Sequence, residues 1–204
     1  MDMTAQRRIF VIDDDPAMRD SLDFLLDVNG FAATTYETAT EFLDHFVDGA
    51  VDCIISDIRM PGMTGLELVR KLRSNNATCP VILMTGHGDV ALAVEAMKAG
   101  AADFIEKPFD DEVLLRAIRD ALESRPGRPA DDAARHQAEA RLADLSPRER
   151  DVLRGLLAGK INKVIAHDLS ISPRTVEVYR ANLMAKANAH SMSELMRIAI
   201  AAGL

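Results

Sequence analysis

The chain has 204 residues, 48% of them apolar and 27% charged, which is enough for one large domain or two small ones with packed cores. No apolar run approaches the length of a membrane span, and Met-Asp-Met-Thr-Ala-Gln-Arg-Arg at the start lacks the plan of a signal peptide, so we expect a cytoplasmic protein with no membrane partner. The net charge of −8 is split unevenly: residues 1–124 carry −12 and residues 125–204 carry +4, which points to two jobs, one of them at a polyanion. Cys53 and Cys79 lie too far apart for a zinc or redox motif, and Cys53 reads as a buried thiol in a reducing compartment.

In chain order, Ile9–Ile12 is a short apolar strand followed at once by Asp13-Asp14-Asp15. Pro16 then opens a helix to Asn29 that Gly30 stops. The alternation continues with strand Ala32–Tyr36, helix Ala39–His45, strand Cys53–Ser56 and helix Gly65–Asn75. Strand Val81–Met84, helix Val90–Ala99, strand Asp103–Glu106 and helix Asp110–Glu123 complete five pairs. That alternation predicts an α/β domain, a parallel sheet covered on both faces, in the flavodoxin-like, doubly wound (βα)5 order 2-1-3-4-5.

Such an order gathers polar residues at one edge, since chemistry in open α/β sheets sits at the C-terminal ends of strands. Asp13 and Asp14 follow the first strand, Asp57 ends the third before Met60-Pro61-Gly62, Thr85 ends the fourth, and Lys107 follows the fifth. Any one of these alone reads as turn chemistry or a solvated side chain. Together they describe a phosphoacceptor: carboxylates that repel one another unless a cation joins them, and Mg²⁺ as the hard, oxygen-seeking ion that suits the place. Asp57 would be the nucleophile, Lys107 would stabilise charge on the transferring group, and the Thr85 hydroxyl would donate to a phosphate oxygen.

Asp13-Asp14, Asp57 with Met60-Pro61-Gly62, Thr85-Gly86 and Lys107-Pro108-Phe109 resemble the receiver domain of two-component response regulators across residues 7–124. The resemblance implies Asp57 as phosphoacceptor, Mg²⁺ held by Asp13, Asp14, Asp57 and the Arg59 carbonyl, Lys107 paired with the phosphate, Thr85 as switch hydroxyl and Phe104 as switch aromatic. It also implies a cis Lys107–Pro108 peptide, and it leaves Asp15 as an extra acid.

Residues 125–141 form the expected linker, with Ser124-Arg-Pro-Gly-Arg-Pro129 as its hinge. Asp131 to Leu142 reads as a helical spacer with little core to bury against, a regulatory coiled coil being the other reading. From residue 142 a small bundle is predicted. Ser146 caps a helix with Pro147 in its first position and Glu149 closing a capping box; Asn162 caps a second; Ser172 and Pro173 start a third to Ala187; Met192–Ala202 is a fourth. The second and third helices, about the turn Ser170–Ser172, are a helix-turn-helix candidate.

Winding residues 173–187 at 100° per residue turns Val176, Tyr179, Leu183 and Ala187 inward and Arg174, Glu177, Val178, Ala181 and Asn182 outward. An acid, an amide and small apolar groups between basic edges suit a DNA major groove, with Glu177, Val178, Ala181 and Asn182 reading bases. Lys163, Arg174, Thr175, Arg180 and Lys186 would contact phosphates. A solvated helix in a protein-docking domain is the alternative. Leu145-Ser-Pro-Arg-Glu149, Asn162-Lys-Val-Ile-Ala166 and Ile171-Ser-Pro-Arg-Thr-Val-Glu-Val178 are similar to the LuxR-type output domain across residues 142–204. With Thr85-Gly-His-Gly-Asp89, Val94–Gly100 and Phe104–Phe109, the whole chain is similar to FixJ-type regulators. That similarity implies a transcription factor rather than an enzyme. It further implies a sensor histidine kinase, promoter DNA and RNA polymerase as partners, and a homodimer through helix four and strand five (Val90–Glu106). One departure stands out at Ala187, where a bulkier apolar residue is usual.

Other classes are weighed against this. An Asp-nucleophile Mg²⁺ phosphatase needs a second acid and a cap over the substrate, neither of which is found. A flavin binder is excluded because three acids after the first strand repel its phosphate.

Overall fold

A computed structural model describes residues 6–86, 90–123 and 131–204. Five strands, β1 (Arg8–Ile12), β2 (Ala32–Tyr36), β3 (Cys53–Asp57), β4 (Val81–Thr85) and β5 (Asp103–Glu106), form one parallel sheet in the order β2-β1-β3-β4-β5. The helices between and after them are α1 (Pro16–Val28), α2 (Ala39–His45), α3 (Gly65–Ser74), α4 (Val90–Lys98) and α5 (Asp111–Glu123). The expected topology is therefore the observed one. β3 and β4 are buried at every position, as strands covered on both faces must be. One face closes on Leu22 and Leu26 of α1 and Leu114 and Ile118 of α5, packed with Val11, Ile55 and Met84.

Register carries the site. β1 pairs with β3 so that Ile12 lies opposite Ser56, and the next step along both strands brings Asp13 beside Asp57. In β4 and β5, Thr85 lies opposite Glu106, and the Thr85 carbonyl accepts from the Lys107 N–H at 2.6 Å. Asp15 is more than an extra acid: it is the N-cap of α1, accepting from the Ala17 N–H at 2.9 Å. A capping box joins Thr64 and Glu67 at the start of α3.

The chain divides into two compact units, Met1–His87 with Ala99–Pro126 and Gly88–Lys98 with Gly127–Leu204, so that α4 is counted with the second. His87–Asp89 and the expected hinge at 124–129 lie outside the described residues. The C-terminal helices are α6 (Asp131–Leu142), α7 (Pro147–Leu157), α8 (Asn162–Asp168), α9 (Pro173–Lys186) and α10 (Met192–Ala201). Val152, Leu153, Leu156, Ile165, Leu195 and Met196 build their core. Ser146 and Glu149 form the capping box expected at α7, and Ser172 caps α9 through the Thr175 N–H.

Three expectations need correction here. Asn162 does not cap α8; Ile161 takes that place without a side-chain bond, and Asn162 is the first helical residue. The helix α6 has more to bury than the little core expected of it, because Ala138 and Leu142 are both buried. Tyr179 is only half-buried, while Val176, Leu183 and Ala187 face fully inward. At Ala187 the carbonyl accepts from Arg141 Nε at 2.8 Å, and Arg141 also reaches Asn188 O and Glu194.

Candidate functional sites

The first cluster is built on the C-terminal edge of the sheet. Asp13 and Asp57 are buried, and the Lys107 ammonium bridges them, 2.8 Å from Asp13 Oδ2 and 2.7 Å from Asp57 Oδ1. The other oxygen of Asp57 accepts from the Arg59 N–H at 2.6 Å, and Asp13 Oδ1 accepts from the Asp15 N–H at 3.0 Å. Burial draws the Lys107 ammonium downward, but hydrogen bonds to the two carboxylates and their charges outweigh it and hold the group above the ordinary lysine range. Two carboxylates and one ammonium leave the trio with a net charge of −1.

Thr85 and Phe104 are both buried, at the end of β4 and within β5. The Lys107–Pro108 peptide is cis. Asp14 is exposed, and among the described residues no group of three or more His, Cys, Asp or Glu side chains converges as a metal site. The structure thus brings together Asp13, Asp57 and Lys107, with the ammonium between the two acids, while Asp14 is exposed.

Two residues of this cluster were missed in the sequence. Arg19 Nη1 donates to the Asp13 carbonyl at 2.7 Å, pinning the acid-bearing loop from the second turn of α1. Its signal is a basic residue one helical turn into α1, close behind three acids. Gly65 opens α3 so near β3 that a Cβ there would collide with the Asp57 carbonyl oxygen, and its N–H donates to Ile58 O at 3.0 Å. Thr64-Gly65 reads in sequence as a cap and a helix start; the close approach depends on how α3 packs, which no local pattern encodes.

The second cluster is the outward face of α9. Arg174, Glu177, Val178, Ala181 and Asn182 are exposed, as the helical winding requires, and Val178 is 55% accessible despite being apolar. Lys163 on α8 is exposed too. The Thr175 hydroxyl pairs with Ser172 Oγ at 2.8 Å. Arg180 is half-buried, and its Nη1 donates to Asn162 Oδ1 at 3.1 Å. Lys186 is tied inward, 2.7 Å from Glu149 Oε2 and 3.3 Å from Asp144 O. Lys160, just before α8, pairs with Asp168 at 2.7 Å.

Residues 9–119 match the response regulator receiver domain, and residues 143–199 match the luxR family of bacterial regulatory proteins. The transcriptional regulatory protein FixJ of Bradyrhizobium diazoefficiens is 51% identical over 99% of this chain and 98% of its own. FixJ of Azorhizobium caulinodans is 53% identical over 96% of this chain and 93% of its own. Among solved structures, full-length FixJ from B. japonicum is similar with a TM-score of 0.57 and 51% identity, covering 98% of both chains.

Proposed function

This chain belongs to the response regulators that join a receiver domain to a luxR-family domain, and on that premise we propose that it is a transcription factor switched by phosphorylation of Asp57. That it is a FixJ-type transcriptional regulator, related to regulators and not to enzymes, follows from the relatives themselves. The observation that carries the finer reading is the buried Asp13–Lys107–Asp57 bridge.

The Asp57 carboxylate attacks phosphorus of a phosphohistidine on a sensor histidine kinase. The P–N bond breaks, its electron pair stays on the imidazole, which takes up a proton, and an acyl phosphate forms on Asp57. Lys107 already sits 2.7 Å from the nucleophile and stays beside the phosphoryl oxygens as their charge develops. A Mg²⁺ ion suits this donor set of hard carboxylate oxygens, with Asp13, Asp57, Asp14 and the Arg59 carbonyl as the residues that would hold it. Its chemistry would be neutralisation of the phosphoryl oxygens. Charge would favour the pairing: a divalent cation would take the trio from a net −1 to +1, and the acyl phosphate, which carries about two negative charges in place of the one on the Asp57 carboxylate, would bring the site close to neutrality. Thr85 then donates to a phosphate oxygen, and buried Phe104 follows the movement of its strand end.

The phosphorylated chain pairs with a second copy through α4 and β5, and two C-terminal units then grip paired half-sites of promoter DNA in the cytoplasm, where RNA polymerase is recruited. Arg174, Lys163, Thr175 and Arg180 supply phosphate contacts, while Glu177, Val178, Ala181 and Asn182 meet base edges. Lys186 contributes less directly, because its ammonium is engaged by Glu149. Binding to a cognate duplex should weaken steeply with salt, and Arg174→Ala should lower affinity for all duplexes alike and reduce the salt slope by about one. Fluorescence anisotropy across a salt series checks this; a slope that Arg174→Ala leaves untouched would remove Arg174 from the interface.

A further inference from the structure

The cations of α9 and of the segment before α8 are not equivalent. Lys186 and Lys160 are each paired with a carboxylate, Glu149 and Asp168, and those pairs cancel their charge locally. Arg180 is held differently. Its partner is the amide oxygen of Asn162 at 3.1 Å, a neutral acceptor that fixes the guanidinium without cancelling it. The bond runs between the first residue of α8 and the middle of α9, across the helix-turn-helix itself.

A guanidinium carries five N–H donors in a rigid fork, so one bond to Asn162 fixes the plane and leaves the rest to an anion. An arginine left to itself loses its rotamer freedom only when it meets a phosphate, and that loss weakens binding. Here the ordering is done when the domain folds.

We propose that Asn162 is a positioning residue for DNA binding, which holds the Arg180 guanidinium in a preformed, fully charged orientation toward a backbone phosphate. This rests on the nucleic-acid reading of the C-terminal unit and extends it to a residue that itself need not touch DNA.

The test is a double-mutant cycle in the full-length protein, treated with acetyl phosphate and Mg²⁺, on one cognate duplex over a salt series. Asn162→Ala should weaken binding about three- to tenfold with the salt slope unchanged, because the charge remains and only its ordering is lost. Arg180→Ala should lower the slope by about one. Added to Arg180→Ala, Asn162→Ala should cost nothing further. Asn162→Asp should keep the bond but cancel the cation, so its slope should fall as in Arg180→Ala. Thermal melts of each variant report any simple loss of stability.

Equal losses from Asn162→Ala in the two backgrounds, or an Asn162→Ala loss that tracks the melting temperature, would overturn the assignment. A phosphorylated wild-type chain that binds no duplex even at low salt would instead overturn the nucleic-acid reading beneath it, and this inference with it.

Discussion

Asp57→Asn should abolish phosphoryl transfer from acetyl phosphate while leaving the fold in place. Asparagine keeps the shape of the side chain, so its amide oxygen can still accept from Lys107, 2.7 Å away in the native protein. The amide NH₂ then faces the Arg59 N–H, donor against donor, and that one bond is lost. Against this loss, Asp13 and Lys107 become a neutral pair where two acids had shared one ammonium. The two effects oppose each other, so the stability change should stay within about 1 kcal/mol. Chemistry has no such compensation, because the neutral amide lacks the anionic oxygen of a carboxylate and its nitrogen lone pair is delocalised into the carbonyl, so neither atom attacks phosphorus effectively. Intact-mass measurement after treatment with acetyl phosphate and Mg²⁺ should show one added phosphoryl group on the wild type and none on Asp57→Asn. An undiminished adduct on the variant would move the acceptor elsewhere.

The second large effect lies in the C-terminal unit, where Glu149→Ala should destabilise by about 2 kcal/mol. The buried Glu149 carboxylate accepts from the Ser146 N–H at 2.7 Å and from the Lys186 ammonium at 2.7 Å. It therefore closes the capping box of α7 and ties α7 to the last turn of α9 with one group. Loss of the box costs about 1 kcal/mol and loss of the bridge a similar amount. The Lys186 amine is exposed enough to be hydrated once released, which keeps the total below that of a fully buried broken pair. For a unit of this size the melting temperature should fall on the order of 10 °C.

The same carboxyl predicts a pH dependence. Its hydrogen bond from Lys186, and then that from the Ser146 backbone, hold it below the ordinary glutamate range despite the opposing effect of burial. A group lowered on folding adds stability above its unfolded value, about 4.3, and loses it as pH falls through the folded value. Melts followed at acid pH should therefore show Glu149→Ala converging on the wild type below about pH 4. Parallel curves at all pH values would show that the carboxylate charge is not what holds the two helices.

The elements that were legible in sequence are those whose signals are local. Strand β3 ends in Asp57 because an apolar run stops at an acid, and α7 starts at Ser146-Pro147 because cap, proline and Glu149 agree. The alternation of five strands and helices was equally plain, and the sheet order followed from it. What escaped depends on contacts between residues far apart. Asn162 looked like a cap because amides favour caps, but a partner eighteen residues on claims its oxygen. The helix α6 looked like a spacer because its sequence is mostly polar and Ala-rich, yet Ala138 and Leu142 are buried and its Arg141 finds partners 46 to 53 residues away. Asp14 was grouped with Asp13 by adjacency, and it is exposed where Asp13 is buried.

Duplex affinity of the full-length chain, measured by anisotropy at one fixed salt concentration with and without acetyl phosphate and Mg²⁺, bears most directly on the claim that Asp57 governs the output. Treatment should tighten binding of the wild type at least tenfold and leave Asp57→Asn where it began. An Asp57→Asn chain that tightens as the wild type does, or a phosphorylated wild type that binds no better than before, would contradict it.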